Sequence, residues 1–163
     1  MTETERPARI LLVEDNRMDV ELAQDAFEQA HVENVVEVAR TGREAIDRLL
    51  GRPLDADGRR SPLPDLILLD LKLPGNDGID VLRRVKETPS LRRIPVVILT
   101  SSREEGDRAN AYDAGANSYL VKPVSVREFA TLVRCLLDYW STINVPPPRP
   151  ADDRDGGPRG LAR

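Results

Sequence analysis

The stretch LILLDLKLPGNDG, residues 66–78, begins with four aliphatic residues that stop abruptly at Asp70. A short aliphatic run bounded by turn-forming residues is typical of a strand that is covered on both faces of a parallel sheet. Three further stretches also pass from mainly apolar residues into polar or charged ones: LLVEDN at residues 11–16, VVILTSS at 96–102 and SYLVKP at 118–123. Each of these runs ends in polar or charged residues, so the sequence predicts four strands that bring polar or charged side chains to one edge of the sheet.

A fifth run, Val35–Val38, completes the set of strands, and an amphipathic segment follows every strand. We expect helices there, with Thr41, Asp77 and Ser125 as N-caps of the second, third and fifth. The fourth helix is expected over residues 103–114, with a weak apolar face at Ala109 and Tyr112. Five alternating βα units predict an α/β protein with a flavodoxin-like, doubly wound parallel sheet in strand order 2-1-3-4-5.

The chain has 163 residues, which fits one domain. We expect an N-terminal extension at residues 1–8, a folded domain at 9–143 and a Pro/Gly-rich tail at 144–163 that is disordered or ordered only by a partner. The net charge of -4 does not suggest a nucleic-acid surface. The chain opens without an apolar signal region and has no membrane-spanning apolar run, so the sequence predicts a cytoplasmic protein.

The side chains at the strand ends suit phosphoryl chemistry. In a doubly wound sheet the ligand lies beyond the carboxyl ends of the strands, where strand order reverses. Glu14, Asp15 and Asp70 would place three carboxylates there, an arrangement that favours a hard divalent ion such as Mg²⁺. Lys122 adds a mobile positive charge and Thr100 a hydroxyl donor, which together can neutralise and orient a phosphoryl group. Asp70 is the candidate nucleophile, with an aspartyl phosphate as product.

These motifs, together with AGANSYLVKP at residues 114–123, resemble the receiver domains of bacterial response regulators over about residues 9–142. The resemblance implies that a histidine kinase phosphorylates Asp70 and that the domain is a signalling switch rather than an enzyme acting on external substrates. It implies Mg²⁺ ligands at Glu14, Asp15, Asp70 and the backbone carbonyl of Lys72.

The same resemblance further implies phosphoryl contacts from Lys122, Thr100 and Ser101. It also implies a switch pair formed by Thr100 and Tyr119, and a cis peptide bond before Pro123.

A narrower resemblance links EDNRMDVEL at residues 14–22 and LLDYWSTINVPPP at 136–148 to response regulators that are paired with phytochrome kinases. That resemblance implies a receiver domain without an output domain, a bacteriophytochrome as kinase, and a homodimer through the last helix and the elements beside it. Tyr139 and Ile143 are the candidate apolar residues for such a dimer.

Other functions stay open at this point. The chain could be a phosphorelay intermediate, or a degenerate receiver that binds partners constitutively. A phosphatase of the haloacid-dehalogenase class also begins from a strand-end aspartate, but its second acid would fall at Lys72. A flavin or nucleotide carrier is disfavoured because no glycine-rich phosphate loop follows the first strand.

Overall fold

The computed structural model describes residues 6–74 and 78–148, and a five-stranded parallel sheet forms the centre of this part of the chain. The strands are β1 (Ala8–Val13), β2 (Asn34–Ala39), β3 (Leu66–Leu69), β4 (Val96–Thr100) and β5 (Ser118–Val121). Their order is β2-β1-β3-β4-β5, so the predicted fold class and strand order are confirmed. Order reverses between β1 and β3, which places the expected ligand site beside the ends of these two strands.

The helices are α1 (Arg17–Glu28), α2 (Gly42–Leu50), α3 (Gly78–Glu87), α4 (Glu105–Asp113) and α5 (Val126–Asp138), and a π-helical turn at Tyr139–Ile143 continues α5. Successive strand residues face opposite sides of the sheet, so each side has its own core. One core contains Phe27 of α1 and Val133 of α5; the other contains Leu49 of α2 and Leu82 of α3. No helix within the described ranges has the length and apolar character needed to cross a bilayer.

Hydrogen bonds confirm two of the predicted helix starts. Thr41 accepts a bond from the backbone N–H of Glu44 at 3.1 Å, and Ser125 accepts one from that of Glu128 at 3.3 Å. These bonds satisfy N–H groups that have no partner within the first turn of a helix. The third predicted cap, Asp77, lies outside the described residues and stays a prediction.

The prediction for α4 was wrong in its start and in its buried face. The helix begins at Glu105 rather than at residue 103, and Ala111 is its buried residue. Ala109 is exposed and Tyr112 is 50% exposed. A helix turns about 100° per residue, so Ala111 lies roughly 160° around the helix from Ala109. One small buried residue leaves too weak an apolar pattern to reveal which face packs inward.

The segment between α2 and β3, residues 51–65, contains a small hairpin. Leu54 and Arg60 form an antiparallel bridge. Gly58 supplies the positive φ of +75° within the turn, a conformation that side chains disfavour. The Asp55 carboxylate accepts hydrogen bonds from two backbone N–H groups of the same turn, each at 2.9 Å. In the predicted tail, residues 144–148 are described and residues 149–163 lie outside the described part.

Candidate functional site

Backbone pairing at the ends of three strands brings the predicted site residues to one edge of the sheet. The N–H of Glu14 bonds the carbonyl of Ala39 at 3.0 Å, which extends the pairing of β1 with β2 by one residue. The N–H of Asp70 bonds the carbonyl of Val13 at 3.0 Å, which does the same for β3 and β1. These bonds fix Glu14 and Asp70 as neighbours because both follow directly on strands in register.

Lys122 lies at the centre of this edge. Its side chain is 9% exposed, and its backbone N–H bonds the carbonyl of Thr100 at 2.8 Å. Its ammonium group donates three hydrogen bonds to carboxylates: to Glu14 Oε2 at 2.6 Å, to Asp19 Oδ2 at 2.8 Å and to Asp70 Oδ2 at 2.8 Å. Bonds between charged groups at this distance are among the stronger ones in proteins. The lysine therefore joins three segments of chain at the site.

Both oxygens of the Asp70 carboxylate are oriented. Oδ1 accepts a hydrogen bond from the backbone N–H of Lys72 at 3.1 Å, while Oδ2 faces the ammonium of Lys122. The residue is 7% exposed, so these contacts act where water screens them little. Asp70 is thus a positioned carboxylate beside a cation, which is the arrangement that a nucleophile toward phosphorus requires.

Glu14, Asp15 and Asp70 each offer a carboxylate oxygen, and these oxygens lie within 4.8 Å of one another. Oxygen ligands of an octahedral Mg²⁺ lie about 2.1 Å from the ion, so opposite ligands are about 4.2 Å apart. Small side-chain rotations would bring the three oxygens to that spacing. Asp15 is exposed and so provides a side that remains open to water, which suits an ion that keeps several water ligands. The three residues therefore fit a divalent cation.

Burial raises the pKa of Glu14 from 4.5 to about 7, and the negative charge of Asp70 acts in the same direction. Hydrogen bonding to Lys122 opposes this shift without cancelling it. For Lys122 itself burial lowers the pKa, but the bonds to Asp19, Asp70 and Glu14 outweigh burial, so the pKa is raised overall. Lys122 therefore stays charged. The Glu14 carboxyl carries a proton in part of the molecules near neutral pH, and it can lose that proton when a metal ion binds.

The hydroxyl residues at the end of β4 differ in their placement. Thr100 is fully buried, and its Oγ1 accepts a hydrogen bond from the N–H of Ser102 at 3.4 Å. Tyr119 is half-buried, and its hydroxyl donates to the backbone carbonyl of Ser102 at 3.0 Å. Ser101 is exposed. The hydroxyl of Ser102 donates a hydrogen bond to the Asp107 carboxylate at 2.5 Å. Ser102 therefore connects the two members of the predicted switch pair.

The prediction of a cis bond before Pro123 was wrong: the described residues contain no cis peptide bond. The physical reason lies in the small preference of about 0.5–1 kcal/mol between the two forms of a bond before proline. Lys122 reaches all three carboxylates with the trans form, so the observed contacts do not require the cis form.

Asp19 is the site residue that the sequence analysis missed. It lies in the first turn of α1, where its N–H bonds the side chain of the N-cap Asn16 at 3.1 Å. The available signal was its position three residues after Asn16, in the first turn of the helix that follows β1. Asn16 also donates its own N–H to Glu14 Oε1 at 3.1 Å, so this cap connects α1 to the carboxylate cluster.

Comparison with known proteins places this geometry among signalling domains. Residues 10–134 match the response regulator receiver domain family. The chain is 42% identical over 145 residues to the probable methanogenesis regulatory protein FilR2 of Methanothrix harundinacea (strain 6Ac), covering 89% of this chain and 91% of that protein. It is 36% identical over 145 residues to the response regulator Rcp1 of Synechocystis sp. (strain ATCC 27184 / PCC 6803 / Kazusa), covering 88% and 97% respectively.

Solved structures agree with this assignment. The phosphorylated cyanobacterial phytochrome response regulator RcpA superposes with a TM-score of 0.79 at 37% identity, over 88% of this chain and all of that one. The Mn²⁺-bound form of Rcp1 superposes with a TM-score of 0.77 at 35% identity, over 87% and 100% respectively. Fold, site geometry and relatives agree, and the chain belongs to the response regulator receiver domain family.

Proposed function

We propose that Asp70 is the residue that accepts a phosphoryl group from a histidine kinase. The observation that carries this proposal is the contact of the buried Asp70 carboxylate with Lys122 Nζ at 2.8 Å, beside carboxylates that fit a divalent ion. A carboxylate oxygen of Asp70 attacks phosphorus, and the bond from phosphorus to the imidazole nitrogen of the kinase phosphohistidine breaks. The nitrogen keeps the electron pair, and Asp70 becomes an aspartyl phosphate.

Mg²⁺ is the proposed cofactor. Glu14, Asp15 and Asp70 would hold it with the backbone carbonyl of Lys72, and it would neutralise phosphoryl oxygens when bound. The Mn²⁺-bound form of Rcp1 supports the idea that this fold takes a divalent ion. The same ion would assist transfer from small phosphodonors and hydrolysis of the aspartyl phosphate, both of which are reactions of the domain on itself.

The switch pair is proposed to read the modification. An added phosphoryl group would draw the buried hydroxyl of Thr100 toward it, and Ser101 would offer a further contact. Movement of Thr100 would break the hydrogen bond that its Oγ1 accepts from the N–H of Ser102. The carbonyl of Ser102 accepts the hydrogen bond from the Tyr119 hydroxyl, so that bond would weaken as well. The ring of Tyr119 could then turn inward, and the surface formed by α4, β5 and α5 would change shape for a partner.

A bacteriophytochrome is the proposed kinase, because RcpA is a phytochrome response regulator and matches 88% of this chain. A cytoplasmic location accords with such a kinase. A homodimer through α5 and its neighbours is supported by exposed apolar residues there: Val126 is 61% exposed, Tyr139 46% and Ile143 70%. Dimerisation or partner binding would serve as the output of the switch.

The test is the intact mass of the protein after incubation with a small phosphodonor and Mg²⁺. We expect one phosphoryl group on the wild-type chain, none on Asp70→Asn, and none when EDTA replaces the metal. Uptake by Asp70→Asn at the wild-type level would refute the site. No uptake by the wild-type chain would favour a constitutive binding module, and transfer onward to a second histidine protein would favour a phosphorelay intermediate.

A further inference from the structure

The geometry points to Asp19 as a positioning residue for Lys122, an inference that rests on the proposed phosphorylation of Asp70. A lysine ammonium has three N–H donors. All three are used in this structure, one by each of Glu14, Asp19 and Asp70. Any new contact of Lys122 with a phosphoryl group must therefore replace an existing bond.

The three carboxylates differ in what happens to them during phosphorylation. Glu14 and Asp70 belong to the cluster whose oxygens fit a metal ion, and Asp70 is also the proposed nucleophile. Both would turn their charge toward the metal or the phosphoryl group. Asp19 is not part of that cluster, so its bond to Lys122 is the one that metal binding and phosphoryl transfer leave in place.

Asp19 is well suited to hold the lysine because α1 fixes its own position. Its N–H is bound by the N-cap Asn16, and its side chain is 25% exposed, more than that of either Glu14 or Asp70. The lysine stem is flexible, with several rotatable bonds. The retained bond to Asp19 would keep the ammonium close to Asp70 while Glu14 and Asp70 bind the metal or the phosphoryl group. The lysine would then lose less conformational entropy on reaching the transition state.

A hydrogen-bond acceptor at position 19, rather than a negative charge, is what this role requires. Asp19→Asn keeps an acceptor oxygen and removes the charge, whereas Asp19→Ala removes both. At saturating small phosphodonor and Mg²⁺ we expect Asp19→Ala to lower the rate constant of phosphorylation about tenfold, and Asp19→Asn to stay within about threefold of wild type. Circular dichroism of each variant measures the folded fraction separately, because hydrolysis of the aspartyl phosphate also affects the amplitude of the reaction.

Asp25 provides the matched control, since it is exposed on the same helix. Asp25→Asn and Asp25→Ala should both react at the wild-type rate. Equal rates in Asp19→Ala and wild type would overturn this inference and leave the proposed function intact. Equal slowing of Asp19→Asn and Asp19→Ala would also overturn it, because the effect would then come from the negative charge. A wild-type chain that takes up no phosphoryl group would overturn the proposed function and this inference with it.

A second readout does not depend on phosphorylation. The chain contains three lysines, Lys72, Lys86 and Lys122, so their ammonium signals can be resolved by NMR. We expect the Lys122 ammonium protons to exchange with water about tenfold faster in Asp19→Ala and near the wild-type rate in Asp19→Asn. The Lys86 ammonium, which bonds the carbonyl of Ile94 at 2.8 Å, is the internal reference. An unchanged rate of exchange of the Lys122 ammonium protons in Asp19→Ala would refute the role of Asp19 as a positioning residue.

Discussion

Replacing Lys122 with methionine keeps an unbranched stem of similar length and removes the ammonium that contacts three carboxylates. Glu14 and Asp70 would remain buried, at 3% and 7% exposure, without that positive charge between them. Removing one partner of a buried ion pair is strongly destabilising because the remaining charge is left without compensation. We therefore expect a large loss of stability when no metal is present.

The size of the loss has an upper bound. Instead of burying an unpaired charge, the fold can protonate a carboxyl, and an ordinary aspartate carboxyl has a pKa about 3 units below neutral pH. Protonating it at pH 7 costs about 4 kcal/mol. Glu14, with a pKa of about 7, already carries a proton for part of the time and lessens the repulsion. We expect Lys122→Met to lower the free energy of unfolding by about 2–4 kcal/mol.

The assay is urea unfolding in EDTA and in Mg²⁺, followed by the fluorescence of Trp140, the single tryptophan, which packs against the α1–α5 core. Mg²⁺ supplies positive charge to the same carboxylates, so it should stabilise Lys122→Met more than wild type. A ligand at a hundred times its Kd adds about 2.7 kcal/mol. The exposed Arg108→Met is the control, with an expected change within about 0.5 kcal/mol. Equal stability of Lys122→Met and wild type in EDTA would refute the reasoning, and so would an equal gain from Mg²⁺.

Three further predictions concern the same edge of the sheet. The raised pKa of Glu14 means that the metal-free fold binds more protons than the unfolded chain between pH 4.5 and about 7, so stability should fall as pH rises through this window. The contribution is up to about 3 kcal/mol, and urea titrations should show a flatter pH profile in Glu14→Gln; parallel profiles would contradict the shift. Gly78→Ala would place a Cβ against the backbone oxygen of Asp70 and 2.6 Å from Leu71 Cα, so we expect a loss of at least about 2 kcal/mol in urea unfolding together with slower phosphorylation. Tyr119→Phe removes the hydrogen bond to Ser102, worth about 1 kcal/mol, and NMR should show the ring populating its inward orientation about fivefold more; an unchanged ratio would argue against that bond as a restraint.

The sequence predicted the sheet well because the central strands β3 and β4 are almost wholly aliphatic and are buried along their whole length, which leaves little choice of structure. It also predicted the edge at which Glu14, Asp70 and Lys122 meet, since the carboxyl ends of parallel strands share one side of the sheet. The roles assigned to these residues remain predictions. The same holds for the predicted disorder of the chain beyond residue 148.

What the sequence could not supply depends on contacts between distant segments. Asp19 faces Lys122 across 103 residues, and that contact depends on the rotation of α1 relative to the sheet. The burial of Ala111 instead of Tyr112 depends on the rotation of α4 in the same way. The trans bond before Pro123 is a choice between forms of similar energy, which local sequence does not determine.

The separations spanned by the lysine have a consequence for folding. Its three bonds connect residues 52, 103 and 108 positions apart, and such contacts form only after long loops have closed. Lys122 is also near the end of the folded part, so a ribosome delivers it after both carboxylates of the central strands. A chain that is incompletely synthesised or only partly folded lacks the cation at Asp70. The arrangement around Asp70 is therefore complete only once the chain has folded as far as the end of β5.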